Sequence, residues 1–175
     1  HAFLDRNLPE GGAYYHGSGV MHNDWTARSF HLPEHLHHTN WTIHEAQKFL
    51  DTRDTTRPFC MVVSFLASHP PLVPPAFYMD RYLRTGVPDP AIGEWAEPPD
   101  NGGIGLDVSA TNVDLKGEAL LSCRAGYYGL INHLDDQINR LLNSVTGIQR
   151  LLAPDTAVFF CADHGEMLGD HYLWR

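Results

Sequence analysis

The side chains best suited to chemistry lie near the end of the chain, in the stretch CADHGEMLGDH at residues 161–171. Asp163 and His164 are neighbours there, and a carboxylate beside an imidazole is a suitable ligand pair for a divalent cation. Gly165 follows them and would let the backbone turn sharply and come close to a ligand. The structural alternative is that Asp163 caps a following helix and that the glycine only makes the turn.

The other polar side chains of this stretch are weaker candidates. Glu166 and Asp170 could act as general acid or base, although solvated carboxylates are the commoner case. His164 and His171 do not have the H-E-x-x-H spacing of a zinc peptidase. The sequence contains neither a G-x-S-x-G nucleophile elbow nor a Walker-type glycine loop. The stretch therefore offers a metal pair, or its structural alternative, without any of these other motifs.

Histidine and cysteine show no recognisable metal-binding spacing. Seven of the 12 histidines fall between His16 and His44; they are interpreted as surface and pocket lining, with a metal ligand among them as the alternative. Cys60, Cys123 and Cys161 are widely spaced and form no C-x-x-C pair. They are interpreted as buried free thiols, because cysteine is among the most buried residue types.

Two apolar runs must position the candidate residues. Residues 58–66 (PFCMVVSFL) and 156–161 (TAVFFC) are typical of strands that are buried on both faces of a parallel sheet. His69 follows the first run, and Asp163 and His164 follow the second. Ligands of open parallel sheets bind at the carboxyl ends of strands, so these three residues are expected to meet at one edge if the strands are neighbours. Taken alone, His69 is more often a hydrogen-bonded loop histidine than a catalytic one.

Capping and periodicity predict the helices. Thr42 and Glu45 form a capping box, which predicts a helix from about residue 42 to residue 51. An apolar stripe at steps of three and four predicts a long helix over about residues 115–145; its members are Tyr127, Leu130, Ile131, Leu134, Ile138, Leu141, Leu142 and Val145. Residues 76–113 are predicted to be a long loop or insertion. The order helix, strand, insertion, helix, strand predicts an α/β fold with helices flanking a largely parallel sheet.

Composition excludes some classes of partner. The formal net charge of -9 argues against nucleic acid and anionic membranes, both of which bind basic patches. No apolar run approaches the roughly 20 residues needed to cross a bilayer. We therefore expect a soluble protein of the bacterial cytoplasm or periplasm, and the sequence predicts no oligomeric state. Because residue 1 is a histidine and no signal-peptide pattern precedes the first strand, we expect the chain to be a piece of a longer product.

Four segments resemble the sulfatase family, in the order in which the family has them. They are HLHHTNWTIHEAQKFLDTRDTTRPF at residues 35–59, SFLASHPPLVPPAFY at 64–78, YYGLINHLDDQINRLL at 127–142 and FFCADHGEMLGDHYLWR at 159–175. The resemblance implies that residues 1–175 are part of a sulfatase catalytic domain. Its fold would be part of an alkaline-phosphatase-like α/β sandwich.

The resemblance also implies roles for individual residues. Asp163 and His164 match the family's second pair of metal ligands, and His69 matches the histidine that contacts the sulfate and its leaving oxygen. The metal is usually calcium in such enzymes, with manganese or magnesium as alternatives; a nitrogen ligand favours manganese. The substrate would be a small-molecule or sugar sulfate ester, whose sulfur is attacked by a formylglycine made from Cys or Ser.

The sequence departs from the family pattern at the nucleophile. None of the three cysteines begins a Cys-x-Pro-x-Arg or Cys-x-Ala-x-Arg motif. The family has this motif, an early Asp-Asp metal pair and a Lys-x-His segment upstream of the matching region. We therefore expect residues 1–175 to be inactive on their own. The alternatives are a phosphonate monoester or phosphodiester hydrolase of the same superfamily, a non-catalytic sulfatase-like domain, and an unrelated metal-binding α/β protein.

Overall fold

A computed structural model of the chain describes residues 16–20, 25–99, 110–147 and 156–174. Its regular elements are three α-helices, α1 (His38–Thr52), α2 (Ala76–Thr85) and α3 (Gly117–Gly147). Short 3-10 turns lie at His16–Ser18, Glu34–Leu36 and Asp170–Tyr172. The described residues form β-structure only at two isolated bridges, which join Ala27 to Leu72 and Asn112 to Leu173.

Helix α1 begins at His38, so the capping box predicted at Thr42 and Glu45 is wrong. The cap is His37, whose Nδ1 accepts a hydrogen bond from the backbone N–H of Thr39 at 3.3 Å. Thr42 consequently lies in the second turn, where its hydroxyl donates to the carbonyl oxygen of His38 at 3.0 Å. The buried residues of the helix are Thr39, Ile43, Ala46 and Leu50.

Helix α2 occupies the first part of the predicted loop over residues 76–113, and for these residues the prediction is wrong. Pro75 lies at the N-cap, and Gly86, with a φ of 79°, follows the last turn. A proline before a helix and a left-handed glycine after it are common boundary signals. Tyr78 and Met79 are the buried residues of α2, on the side that packs against α3.

Helix α3 spans 31 residues, or roughly 46 Å, which confirms the predicted long helix. Its buried face, however, differs from the predicted apolar stripe, because Ile131 and Leu142 are exposed. Buried positions at steps of three and four include Cys123, Gly126, Leu130, His133 and Gln137, and Arg124, Ala125 and Gly129 beside them are also buried. Small and polar side chains thus form the inner face of α3. Among the described residues, no helix combines the length and the apolar composition needed to cross a membrane.

Two glycines bring α3 very close to the neighbouring chain. A Cβ at Gly126 would collide with the Cβ of Ala27 and would lie 3.3 Å from the Cβ of Leu72. A Cβ at Gly129 would lie 3.1 Å from the ring of Pro74. A methyl group at Gly126 would overlap Ala27, and one at Gly129 would require Pro74 to shift, so the close approach of the helix favours glycine at both positions.

The segment beneath α3 is itself held by backbone hydrogen bonds. The N–H of Arg28 donates to the carbonyl oxygen of Leu72 at 3.1 Å, and that of Phe30 donates to the carbonyl oxygen of Pro74 at 2.8 Å. Residues 27–30 and 72–74, joined by these bonds, form a layer beneath α3. The main core lies between this layer, α3 and residues 168–174. Its buried members are Trp25, Ala27, Ala67, Leu72, Met79, Val113, Leu115, Cys123, Leu130, Leu168 and Trp174.

The two predicted strands, residues 58–66 and 156–161, have no regular secondary structure and are largely exposed. Val62 is 88% exposed and Phe159 is 92% exposed. Within the described part of the chain neither run forms a ladder with a neighbour, so the structure does not show the predicted parallel sheet. Cys60 and Cys161 lie in these runs and are exposed, contrary to the expectation of buried thiols, whereas Cys123 is buried. A strand becomes buried only when other strands pair with its edges and other layers cover its faces.

Gly126→Ala is expected to destabilise the fold, although alanine is the better helix former. Helix propensity would contribute about 1 kcal/mol in favour of alanine. Against this, the new methyl collides with Ala27, whose backbone is bridged to Leu72, and overpacking of this kind costs about 1–3 kcal/mol. We expect a lower urea midpoint. Gly165→Ala is the matched control, because its Cβ would meet only the hydroxyl of Tyr127, at 3.8 Å; a rise in midpoint for Gly126→Ala would contradict the packing.

Candidate functional site

Asp163 and His164 lie at the end of the exposed run 156–161 and face solvent. The side chain of Asp163 is 91% exposed, and its Oδ2 lies 3.9 Å from Nε2 of His164. Its Oδ1 accepts the backbone N–H of His164 at 2.9 Å. No α-helix follows Asp163 among the described residues, so the structural alternative, a helix cap at this position, is wrong.

The electrostatics of the pair keep the carboxylate ionised. Hydrogen bonds from the backbone N–H groups of His164 and of Asp163 itself lower the pKa of Asp163 most, and the charges of His164 and His69 lower it further. The pKa of His164 is raised, mainly by its hydrogen bond to the carbonyl oxygen of Gly165 and then by the charge of Asp163. His69 is therefore close enough to contribute to the field at Asp163.

His69 is exposed but held in orientation by the backbone. Its Nδ1 donates to the carbonyl oxygen of Pro70 at 2.7 Å, which leaves Nε2 as its other polar atom. Its own N–H donates to the carbonyl oxygen of Leu66 at 3.0 Å, and the prolines that follow it are buried. After the run 58–66, these two hydrogen bonds orient the ring of His69 and leave its Nε2 accessible. In the described part of the chain, no three His, Cys, Asp or Glu residues are grouped closely enough to hold a metal ion.

Asp170 and His171 have structural contacts. Asp170 forms an ion pair with Arg124, at 3.3 Å, and its Oδ1 accepts the N–H of Ala91 at 3.0 Å. Nδ1 of His171 accepts the N–H of Gly93 at 2.9 Å, and its ring lies 4.6 Å from the ring of Trp95. Of the two acids considered from the sequence, Asp170 is therefore engaged in binding residues 91–95, whereas Glu166 adds negative charge near His164.

Three histidines, His37, His38 and His133, form a cluster beneath His69, and the sequence did not indicate that His133 belongs to it. His37 and His133 are fully buried, and their rings lie 4.8 Å apart. His37, His38 and His69 line a cavity of about 10 Å³, which is the space of a single water molecule. Part of the cluster of histidines between residues 16 and 44 thus does line a pocket. The available signal was the position of His133 on the buried face of α3, at helical spacing from Leu130 and Gln137.

Burial keeps these histidines neutral. Desolvation lowers the pKa of His133 to about 4, helped by the charge of His38 and opposed by that of Asp136. Desolvation likewise lowers the pKa of His38 to about 4. It also lowers the pKa of His37, which the charges of His133 and His38 lower further. Nε2 of His133 lies 2.7 Å from Oδ1 of Asn40 in α1, so this neutral ring joins α3 to α1.

The sequence matches the Sulfatase family over residues 8–174. It is 38% identical over 157 residues to an arylsulfatase of Clostridium perfringens, a match that covers 90% of this chain and 32% of that protein. It is 32% identical over 124 residues to a choline-sulfatase of Rhizobium meliloti, covering 69% of this chain and 24% of that protein. It is 27% identical over 183 residues to the multifunctional alkaline phosphatase superfamily protein PehA of Trinickia caryophylli, covering 95% of this chain and 33% of that protein.

These matches confirm the resemblance predicted from four segments. The chain spans about a third or less of the length of each of these relatives.

The stability of the protein is expected to fall as the pH falls below about 6.5. His133 has a folded pKa of about 4 and an ordinary value of 6.5, so the unfolded chain binds the extra proton between these values. For this group alone the loss is on the order of 3 kcal/mol by pH 4. We expect His133→Gln to flatten the dependence of the urea midpoint on pH between about 4.5 and 7.5. His44→Gln, at an exposed position of α1, is the control; equal slopes for His133→Gln and wild type would contradict the assignment.

Proposed function

Because this chain belongs to the sulfatase family, we propose that the protein containing it hydrolyses sulfate esters with a divalent metal ion bound in part by Asp163 and His164. The observation that carries the proposal is an exposed, ionised carboxylate beside an imidazole, directly after an exposed apolar run. The chain spans about a third of the length of the arylsulfatase that it matches. The nucleophile, a formylglycine made from Cys or Ser, and the remaining ligands are therefore proposed to come from sequence upstream.

The donors of the pair fit a divalent cation. Nδ1 of His164 donates to the carbonyl oxygen of Gly165 at 3.0 Å, which leaves Nε2 as the ligand atom, and metal-binding histidines commonly have this arrangement. We propose calcium, the usual metal of such enzymes, with manganese or magnesium as alternatives. A carboxylate suits all three ions, and the imidazole ligand is the argument for manganese. Bound there, the ion would neutralise negative charge on the sulfate oxygens.

His69 is proposed to contact the sulfate group and its leaving oxygen. Because Nδ1 is committed to Pro70, Nε2 is the atom that can donate a proton to that oxygen or accept one from it. The buried prolines after His69 limit the movement of the ring, and a fixed donor is more effective than one that must be ordered during the reaction.

The fold is proposed to include the parallel sheet that the family implies. Residues 58–66 and 156–161 would be two of its strands, paired with strands from the rest of a longer protein. Both runs are apolar and largely exposed, and the candidate residues follow their carboxyl ends. The exposed side of α3 at Ile131 and Leu142 would be covered in the same assembly.

The substrate is proposed to be a small-molecule or sugar sulfate ester. The named relatives include an arylsulfatase and a choline-sulfatase, which differ in the alcohol that carries the sulfate. A phosphonate monoester or phosphodiester hydrolase is the second candidate, because the chain also matches a multifunctional alkaline phosphatase superfamily protein over 95% of its length. Assays of the whole protein with an aryl sulfate, a phosphonate monoester and a phosphodiester would separate the two.

Asp163→Asn in the whole protein is expected to abolish metal binding and sulfate ester hydrolysis together. The substitution keeps the volume of the side chain but removes its charge, and divalent cations depend strongly on ligand charge. Metal affinity would be measured by calorimetry, with hydrolysis of an aryl sulfate in parallel. Asp51→Asn, at an exposed position near the end of α1, is the matched control. Full metal occupancy in Asp163→Asn would contradict the assignment.

His69→Asn is expected to lower kcat while leaving metal affinity unchanged. The asparagine amide can still donate to the carbonyl oxygen of Pro70, but it has no group in the place of Nε2. Loss of a general acid or base lowers the rate by about 10²–10⁴-fold. His35→Asn, an exposed histidine before α1, is the control. A kcat equal to that of wild type would remove His69 from the proposed mechanism.

A further inference from the structure

Arg124 is a buried cation on the inner face of α3. Its side chain is 6% exposed, and its Nη1 donates to two acceptors, the carbonyl oxygen of Leu168 at 3.1 Å and Oδ1 of Asp170 at 3.3 Å. A buried charge is tolerated only with a partner of opposite charge and good hydrogen bonds, so this pair is a specific feature of the fold.

The same carboxylate also holds a second segment of chain. Oδ1 of Asp170 accepts the N–H of Ala91, and the N–H of His171 donates to the carbonyl oxygen of Ala91 at 2.8 Å. The N–H of Gly93 donates to the next side chain, His171, on which Trp95 packs. One arginine is thereby connected, through one aspartate, to residues 91–95.

The backbone around Asp170 has an unusual conformation that these contacts maintain. Leu168, His171 and Tyr172 have positive φ angles of 53°, 54° and 64°, each of which costs roughly 1–2 kcal/mol for a residue with a side chain. Such conformations persist only where several contacts require them. Within the turn, the N–H of Gly169 donates to the carbonyl oxygen of Leu173 at 2.7 Å.

This turn begins only four residues after the candidate metal ligand His164. Four residues of extended chain span at most roughly 14 Å, so the position of Leu168 limits that of His164. Residues 156–161 have no ladder partner in the described part of the chain. On the downstream side, the turn that Arg124 contacts therefore restricts where the ligand pair can lie.

We propose that Arg124 and Asp170 are positioning residues that hold the Asp163–His164 loop and residues 91–95 in one fixed arrangement. The proposal rests on the proposed function, because it assigns the pair a role in metal binding at Asp163 and His164. The contacts with Leu168 fix the metal loop, and the contacts with Ala91 fix the neighbouring segment. Asp170 thus belongs to both sets of contacts, since it pairs with Arg124 and accepts the N–H of Ala91.

The test compares Arg124→Met, Arg124→Lys and Asp170→Asn in the whole protein. Calcium, manganese and magnesium affinities are measured by calorimetry, and amide hydrogen exchange at Ala91 and Gly93 is measured in metal-free protein. We expect Arg124→Met and Asp170→Asn to weaken metal binding by about 10-fold or more, with kcat recovered at saturating metal and faster exchange at both amides. Arg124→Lys, which keeps a charged donor, should recover most of the affinity. Arg140→Met, at an exposed position of the same helix, is the matched control.

A merely structural pair would lower the thermal midpoint without changing metal affinity, and that result would overturn the proposal. If Arg124→Met fails to fold, Asp170→Asn decides the matter, because the Asp170 side chain is 37% exposed and keeps its volume. A wild-type protein that binds none of calcium, manganese and magnesium would instead refute the proposed function. In that case the exchange rates at Ala91 and Gly93 still decide whether Arg124 joins the two segments. Unchanged exchange rates in Arg124→Met would show that it does not.

Discussion

The close approach of α3 to the chain beneath it is the constraint on which the described structure depends. Gly126 and Gly129 have no side chains, so the helix backbone lies directly on Ala27, Leu72 and Pro74. Since those residues belong to segments joined by backbone hydrogen bonds, the helix and the layer pack as two rigid surfaces. A side chain at Gly126 would collide with Ala27, and one at Gly129 would press on Pro74, so larger residues would disturb this packing.

That approach brings a polar inner face of α3 against the rest of the protein. Arg124 reaches the turn after the candidate metal ligands, and His133 reaches the histidines beneath His69. Leu130, between them, lines the same small cavity as His69. One helix thus supports both candidate parts of the site, from opposite ends of its buried face. Burying the guanidinium of Arg124 and the imidazole of His133 costs desolvation free energy. Each of these groups therefore has a hydrogen-bond partner.

Apolar surface is also left exposed, on the runs 58–66 and 156–161 and on the outer side of α3. Exposed apolar surface of this extent is uncommon on a protein that functions alone. It is consistent with a chain that spans about a third of the length of its relatives. The candidate ligands lie at the border of this surface, where the proposed sheet would bring further residues to them.

The sequence by itself determined the family and the long helix α3, because these depend on motifs and periodicity that are local in the chain. The roles of His69, Asp163 and His164 stay predictions. It did not predict the start of α1. Thr42 and Glu45 match the capping-box pattern better than any residues near His37, although the cap is His37. Only the tertiary structure decided which face of α3 is buried and that Asp170 pairs with Arg124. Those outcomes depend on residues far apart in sequence, and hydropathy carries no information about where a buried polar group finds its partner.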